Sequence, residues 1–64
     1  MKVIYDRATD ILSLLLNDGP VVESDELREG VIVDYGQGNK IVSVEILDAS
    51  DRVTEPESLT FELK

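Results

Sequence analysis

Apolar and polar residues alternate with a period of two along much of this 64-residue chain. Successive side chains of a β-strand point to opposite faces of a sheet, so this period predicts strands. Residues 2–16 contain two such runs, separated by the turn-like sequence DRATD, and we predict that they form a hairpin. The predicted pairs are Tyr5 with Leu12 and Val3 with Leu14 on one face, and Ile4 with Ser13 and Lys2 with Leu15 on the other.

A breaker cluster, Asn17-Asp18-Gly19-Pro20, ends this hairpin. The segment VVESDEL that follows is short and charged, which is typical of an edge strand because charges discourage pairing with other chains.

The stretch GVIVDYGQGNKIVSVEILDAS predicts a second hairpin, with Gln37-Gly38 as a two-residue turn. Glycine supplies the positive φ that such tight turns require. The predicted pairs are Gly36 with Asn39, Tyr35 with Lys40, Val33 with Val42 and Val31 with Val44 on one face, and Ile32 with Ser43 and Asp34 with Ile41 on the other. The same alternation places Glu45 on the face opposite the valines.

The C-terminal part allows two interpretations. Residues 48–53 predict one helical turn, with Asp48 or Ser50 as its N-cap. Beyond it, the strict alternation of Leu59, Phe61 and Leu63 with polar residues favours a closing strand. The alternative is a C-terminal helix at residues 55–63, because TEPE resembles a capping box with proline near the first helical position.

The predicted fold is therefore mainly β: a single domain spanning residues 1–64, built as a small antiparallel meander of two hairpins with about five or six strands. The alternative, with the C-terminal helix, is an α+β fold. So short a chain has a marginal core, and small folds usually compensate with disulfides, a metal or a second subunit. The sequence contains no Cys and no His, which leaves self-association. The predicted interface consists of aliphatic residues on the face opposite the valines: Ile4, Ile11, Leu15, Ile32 and Ile41.

The net charge of −8 is concentrated in residues 18–29 and 45–64, which carry −4 each. Nucleic-acid binding requires clustered Lys and Arg, so we expect no direct contact with DNA or RNA. An acidic surface can instead attract a basic protein. No apolar run approaches the roughly 20 residues of a membrane span, and acidic and basic residues interrupt the N-terminal apolar stretch, so we expect a cytoplasmic protein without membrane contact.

Catalytic motifs are missing from the sequence. Gly36-Gln37-Gly38 is too short for a phosphate-binding loop, and without His no nucleophile–His–acid triad can form. We therefore expect neither an enzyme nor a cofactor. Carboxylates could hold a hard cation, and the candidates by spacing are Asp6, Asp10, Asp48 and Asp51, although aspartates at such positions usually form turns and caps. Tyr5 and Tyr35 occupy core-facing strand positions, which indicates packing.

Three segments carry a family resemblance: Tyr-Asp-x-x-x-Asp before an apolar strand, then Gly-Val-x-x-Asp, and Val-x-x-Glu-Ile-Leu-x-Ala-Ser after a glycine-containing turn. The matching residues are Tyr5, Asp6, Asp10, Gly30, Val31, Asp34, Val42, Glu45, Ile46, Leu47, Ala49 and Ser50. Over residues 1–53 the chain resembles the short prokaryotic proteins of the domain-of-unknown-function family numbered twenty-two eighty-three. The resemblance implies no established activity. Some members of the family lie beside small toxin-like proteins, which would suggest an antitoxin or partner-binding role.

The functional prediction is a small non-catalytic domain that acts through protein–protein contacts, either by self-association or as an acidic, antitoxin-like partner of a basic protein. The alternative is a domain that binds a metal ion or small ligand through the carboxylates of Asp6, Asp10, Asp34, Glu45 or Asp48.

Overall fold

One antiparallel β-sheet forms the body of the protein. The computed structural model describes residues 1–64, and the sheet contains five strands in the order β1-β2-β5-β4-β3. The strands are β1 (Lys2–Asp6), β2 (Ile11–Leu15), β3 (Glu23–Arg28), β4 (Val31–Tyr35) and β5 (Ile41–Ile46). A 3-10 turn (Gln37–Asn39) joins β4 to β5, and a short helix, α1 (Ala49–Arg52), follows β5. The predicted mainly β fold is confirmed.

The order of the strands divides the predicted meander into two parts. The β1–β2 hairpin is one part, and β3, β4 and β5 follow one another as the other. The two parts join where β2 pairs with β5, so the connection between β2 and β3 crosses the end of the sheet. Backbone hydrogen bonds hold this connection: the Leu16 N–H donates to the Val42 carbonyl (2.8 Å), and the Val22 N–H donates to the Tyr35 carbonyl (2.8 Å).

The first hairpin has the predicted register. Tyr5 pairs with Leu12, Val3 with Leu14, Ile4 with Ser13 and Lys2 with Leu15. The alternation of apolar and polar side chains therefore assigned each residue of this hairpin to the correct face.

The second hairpin differs from its predicted register by two residues. Val33 pairs with Val44 instead of Val42, Val31 with Ile46, Ile32 with Glu45 and Asp34 with Ser43. The connection is a longer 3-10 turn, and an irregularity between Asp34 and Tyr35 shifts the last pair to Tyr35 and Ile41. A shift of two residues leaves each side chain on its predicted face of the sheet. The predicted faces are therefore correct, and the predicted partners are wrong.

Helix α1 confirms the predicted helical turn, and Asp48 occupies its N-cap position. Asp48 adopts a left-handed conformation (φ 52°) and its side chain makes no capping hydrogen bond. Residues 55–64 form neither the predicted closing strand nor the alternative helix. A strand needs a neighbour, and this segment has no backbone partner in the chain. No helix of the structure combines the length and apolar character needed to cross a membrane.

The two faces of the sheet differ in composition. The apolar face consists of Val3, Tyr5, Leu12, Leu14, Val31, Val33, Val44 and Ile46. The mixed face consists of Ile4, Ile11, Ser13, Leu15, Ile32, Asp34, Ser43 and Glu45. The apolar residues that the chain buries are Leu12, Val33, Val42 and Ala49. The core is small because most side chains on both faces of the sheet are only partly buried.

Candidate functional site

A first polar cluster, the Asp10 cluster, connects the β1–β2 turn to helix α1. It consists of Tyr5, Asp10 and Ser50. The Tyr5 hydroxyl donates to Asp10 Oδ1 (2.6 Å), and the Ser50 hydroxyl donates to Asp10 Oδ2 (2.6 Å). The Ser50 backbone N–H also donates to Oδ1 (3.0 Å), and the Ala49 N–H donates to the Asp10 carbonyl (3.0 Å). Asp10 therefore caps α1 from 40 residues away in sequence.

Hydrogen bonding shifts the acid–base behaviour of this cluster. The hydroxyls of Ser50 and Tyr5 stabilise the ionised carboxylate and lower the pKa of Asp10. The bond to Asp10, with smaller effects from burial and from the charge of the carboxylate, raises the pKa of Tyr5 to about 12. An ionised acceptor with its donors in place is suited to fastening two segments together, and its lone pairs are already engaged.

A second polar cluster, the Asp34 cluster, lies on the mixed face and consists of Ser24, Asp34, Ser43 and Glu45. The Ser24 hydroxyl donates to Asp34 Oδ1 (2.5 Å), and the Ser43 hydroxyl donates to Oδ2 (2.6 Å). Asp34 is buried (8% exposed), and its carboxylate is satisfied by strands on both sides, β3 and β5. Its two serine bonds therefore fasten the outer strand β3 to the centre of the sheet.

The pKa values of the two carboxyls in the Asp34 cluster shift in opposite directions. The Ser24 and Ser43 hydroxyls lower the pKa of Asp34 against the opposing effect of burial. A side-chain hydrogen bond to Asp34, then burial and the charge of Asp34, raises the pKa of Glu45. This pattern is typical of two neighbouring carboxyls that hold a proton between them more readily than they hold two charges.

The metal candidates have local roles in the structure. Asp6 accepts the Ala8 N–H (2.9 Å) within the β1–β2 turn, and Asp10 belongs to the cluster above. Asp48 occupies the N-cap position of α1, and the Asp51 N–H donates to the Asp48 carbonyl (3.0 Å). Asp34 and Glu45 lie in the other cluster, and no three carboxylates converge in a group that could hold a metal ion.

The five residues of the predicted interface lie on the mixed face by the alternation of their strands, as the Asp34 cluster does. Ile4 (40% exposed) and Ile41 (39% exposed) are the most accessible, and Ile11, Leu15 and Ile32 are half-buried. The apolar face, which the sequence predicts as core, is also incompletely buried. There, six of the eight residues remain partly exposed, and only Leu12 and Val33 are buried. The interface on the mixed face and the basic partner stay predictions.

Comparison with known proteins identifies a family. Residues 2–50 match the family described as "Protein of unknown function (DUF2283)". The chain belongs to the DUF2283 family. No curated protein and no solved structure matches the chain.

Five of the twelve DUF2283 residues recognised in the sequence fall into the two polar clusters. Tyr5, Asp10 and Ser50 form the first, while Asp34 and Glu45 belong to the second. The sequence pattern predicts packing for Tyr5 and gives no indication of the hydrogen bond between Asp10 and Ser50. The only signal for the contact in the sequence is that both residues belong to the family motifs, Asp10 to Tyr-Asp-x-x-x-Asp and Ser50 to Ala-Ser.

Proposed function

We propose that this DUF2283 protein works through protein–protein contact, and that its apolar face is the surface on which a second copy binds. The observation that carries the proposal is the exposure of this face. Domains bury a sheet face against a helix layer or against another sheet. Here Val44 and Leu14 pair at the middle of the sheet and are still only partly buried. A copy of the same face supplies the missing layer.

The total surface area agrees with the proposal. The chain exposes 5108 Å², whereas a folded monomer of its mass exposes about 4,100 Å² on average. The difference, about 1,000 Å², is comparable to the roughly 800 Å² that each partner buries in a typical stable interface. Two-fold dimers are the commonest assemblies of identical chains, and they use the same surface patch on both copies.

Adjacent residues of β2 provide a matched test. Leu14 lies on the apolar face and Leu15 on the mixed face, and both are half-buried. We expect Leu14→Gln to weaken the association measured by sedimentation equilibrium by about tenfold or more, because it places an unpaired amide in an apolar interface. Leu15→Gln should leave the association unchanged.

The reverse result would assign the interface to the mixed face, where Ile4 and Ile41 lie. If neither variant alters a measurable association, neither face is the interface. Thermal unfolding of both variants at low concentration verifies that each chain is still folded.

A further inference from the structure

The C-terminal tail, residues 58–64, has the pattern of a strand but pairs with no other strand. Its apolar residues Leu59, Phe61 and Leu63 are 69%, 75% and 90% exposed, which is far more than the apolar residues of the sheet. They alternate strictly with polar residues, as in a strand with one buried face. We infer that the tail adds as a strand to the free edge of β1 in a second copy. This inference rests on the self-association proposed above.

The tail begins beside β1. The Arg7 Nε donates to Glu57 Oε1 (2.8 Å) just before the tail, and a shallow cleft brings Pro56 and Leu59 against Val3 and Tyr5. The chain turns at residues 55–58, where the Ser58 N–H donates to the Glu55 carbonyl (3.0 Å), and the tail follows this turn. Residues 59–64 then make no backbone hydrogen bond with their own chain. Their donors and acceptors are therefore free for another molecule.

The sheet has two open edges, β1 and β3, and the side chains of the tail match β1. On the apolar face β1 presents Val3 and Tyr5, so a tail paired there would extend the apolar face with Leu59, Phe61 and Leu63. The edge strand β3 presents Asp25 opposite Val33 on that same face. Apolar tail residues beside this charge would gain little burial and would desolvate a carboxylate.

Charge also favours β1. Strand β3 carries Glu23, Asp25 and Glu26 against Arg28, and its six residues are exposed. It would repel a tail that contains Glu62 and follows Glu57. Strand β1 begins with Lys2 on the mixed face, which is the face that the polar side of the tail would share. Lys2 and Glu62 can then pair across the two strands.

The test is a pair of double variants in the full chain. Thr60→Pro with Phe61→Pro removes two consecutive backbone N–H groups, and one of the two must point to β1 because alternate N–H groups face the neighbouring strand. The matched control, Thr60→Val with Phe61→Val, keeps both donors and the preference for a strand. We expect the proline variant to weaken association by about tenfold, and the control to associate within about threefold of the unmodified chain.

Amide hydrogen exchange gives the second readout. At concentrations where the unmodified chain associates, amides of Lys2–Asp6 that face outward in the single chain should be protected, and the proline variant should lose this protection. Unchanged affinity and unchanged β1 protection in the proline variant, with Leu14→Gln still disruptive, would overturn the tail inference alone. An unmodified chain that is monomeric throughout would overturn both proposals.

Discussion

At the scale of single residues, Asp10 has the most connections across the chain. Its carboxylate accepts bonds from Tyr5 and Ser50, and its main-chain carbonyl accepts one from Ala49. Its backbone is left-handed (φ 57°), a conformation that aspartate tolerates better than most residues. The same residue therefore shapes the β1–β2 turn and caps α1, which explains why a turn aspartate is tied to a serine 40 positions later.

Tyr5→Phe should show how strongly the hydroxyl contributes. The pKa of Tyr5 is raised from 10.0 to about 12 in the folded chain. A raised pKa means that this contribution to stability is complete below pH 10 and is lost as the pH rises from 10 towards 12. We expect the variant to melt about 5 °C lower at pH 8, with the gap to the unmodified chain closing over that alkaline range.

The measurement is the Tm of both chains across this pH range, with Tyr35→Phe as the control because it removes a hydroxyl away from Asp10. A gap that stays constant or widens with pH would contradict the assigned bond.

Glu45→Gln should stabilise the protein at neutral pH. The pKa of Glu45 is raised above its ordinary 4.5, so its contribution to stability is complete below pH 4.5 and is lost as the pH rises through the raised pKa. The lowered pKa of Asp34 has the opposite effect, and its contribution is lost only as the pH falls below its ordinary 3.8. The glutamine amide donates a hydrogen bond to Asp34 and carries no negative charge, so we expect about 0.5 to 1 kcal/mol more stability at pH 7.

Urea unfolding at pH 4.5 and pH 7 measures this effect, and the advantage of the variant should be larger at pH 7. Glu23→Gln, on the exposed strand β3, is the control and should change little at either pH. A Glu45→Gln variant that is no more stable than the unmodified chain at pH 7 would contradict the interaction between the Asp34 and Glu45 carboxyls.

At the scale of elements, the two hairpins show what alternation can and cannot predict. In the first, the pattern and the short connection at residues 7–10 agreed, and every predicted pair was correct. In the second, pairing with the predicted tight turn and pairing two residues further along place the valines on the same face. A slip of one residue moves every side chain to the other face, so the alternation excludes it. A slip of two residues leaves every side chain on the same face, so the alternation cannot detect it. The turn geometry decided the register, and the sequence GQGN is compatible with both turns.

Gly38→Ala tests the geometry of this turn. Gly38 has φ +71° and no atom close to its missing side chain, so the cost of alanine should come from the backbone alone. We expect about 1 kcal/mol lower stability by urea unfolding. Asn39→Gly is the matched control, because Asn39 is also left-handed (φ 61°) and glycine there should be neutral or slightly stabilising. Equal stability of Gly38→Ala and the unmodified chain would argue for a different turn.

The contacts between distant segments could not be predicted from the sequence, for physical reasons. Nothing in the local pattern of β2 specifies β5 as its neighbour, because their pairing depends on which edges remain free after the hairpins form. The tail was predicted as a strand from its alternation, yet a strand also requires a partner edge. Likewise the carboxyl of Glu45 was placed on the correct face, while its closeness to Asp34 followed from a register that only the turn could set.

At the scale of the whole molecule, the proposed self-association makes this chain one half of a layered structure. A single sheet with one apolar face, one mixed face and an exposed amphipathic tail leaves about 1,000 Å² more surface than its mass predicts. The polar clusters fasten the turns, the helix and the outer strand, so the sheet is well defined before any partner binds. A preorganised sheet loses little conformational freedom on association, which favours a stable complex.

The most direct test of this account is the mass of the unmodified chain in solution, measured by light scattering over a dilution series. The chain alone has a mass of 7.1 kDa. We predict twice that mass at high concentration and a return to the single-chain value on dilution. A mass of 7.1 kDa at every concentration would contradict the claim that the apolar face binds a second copy.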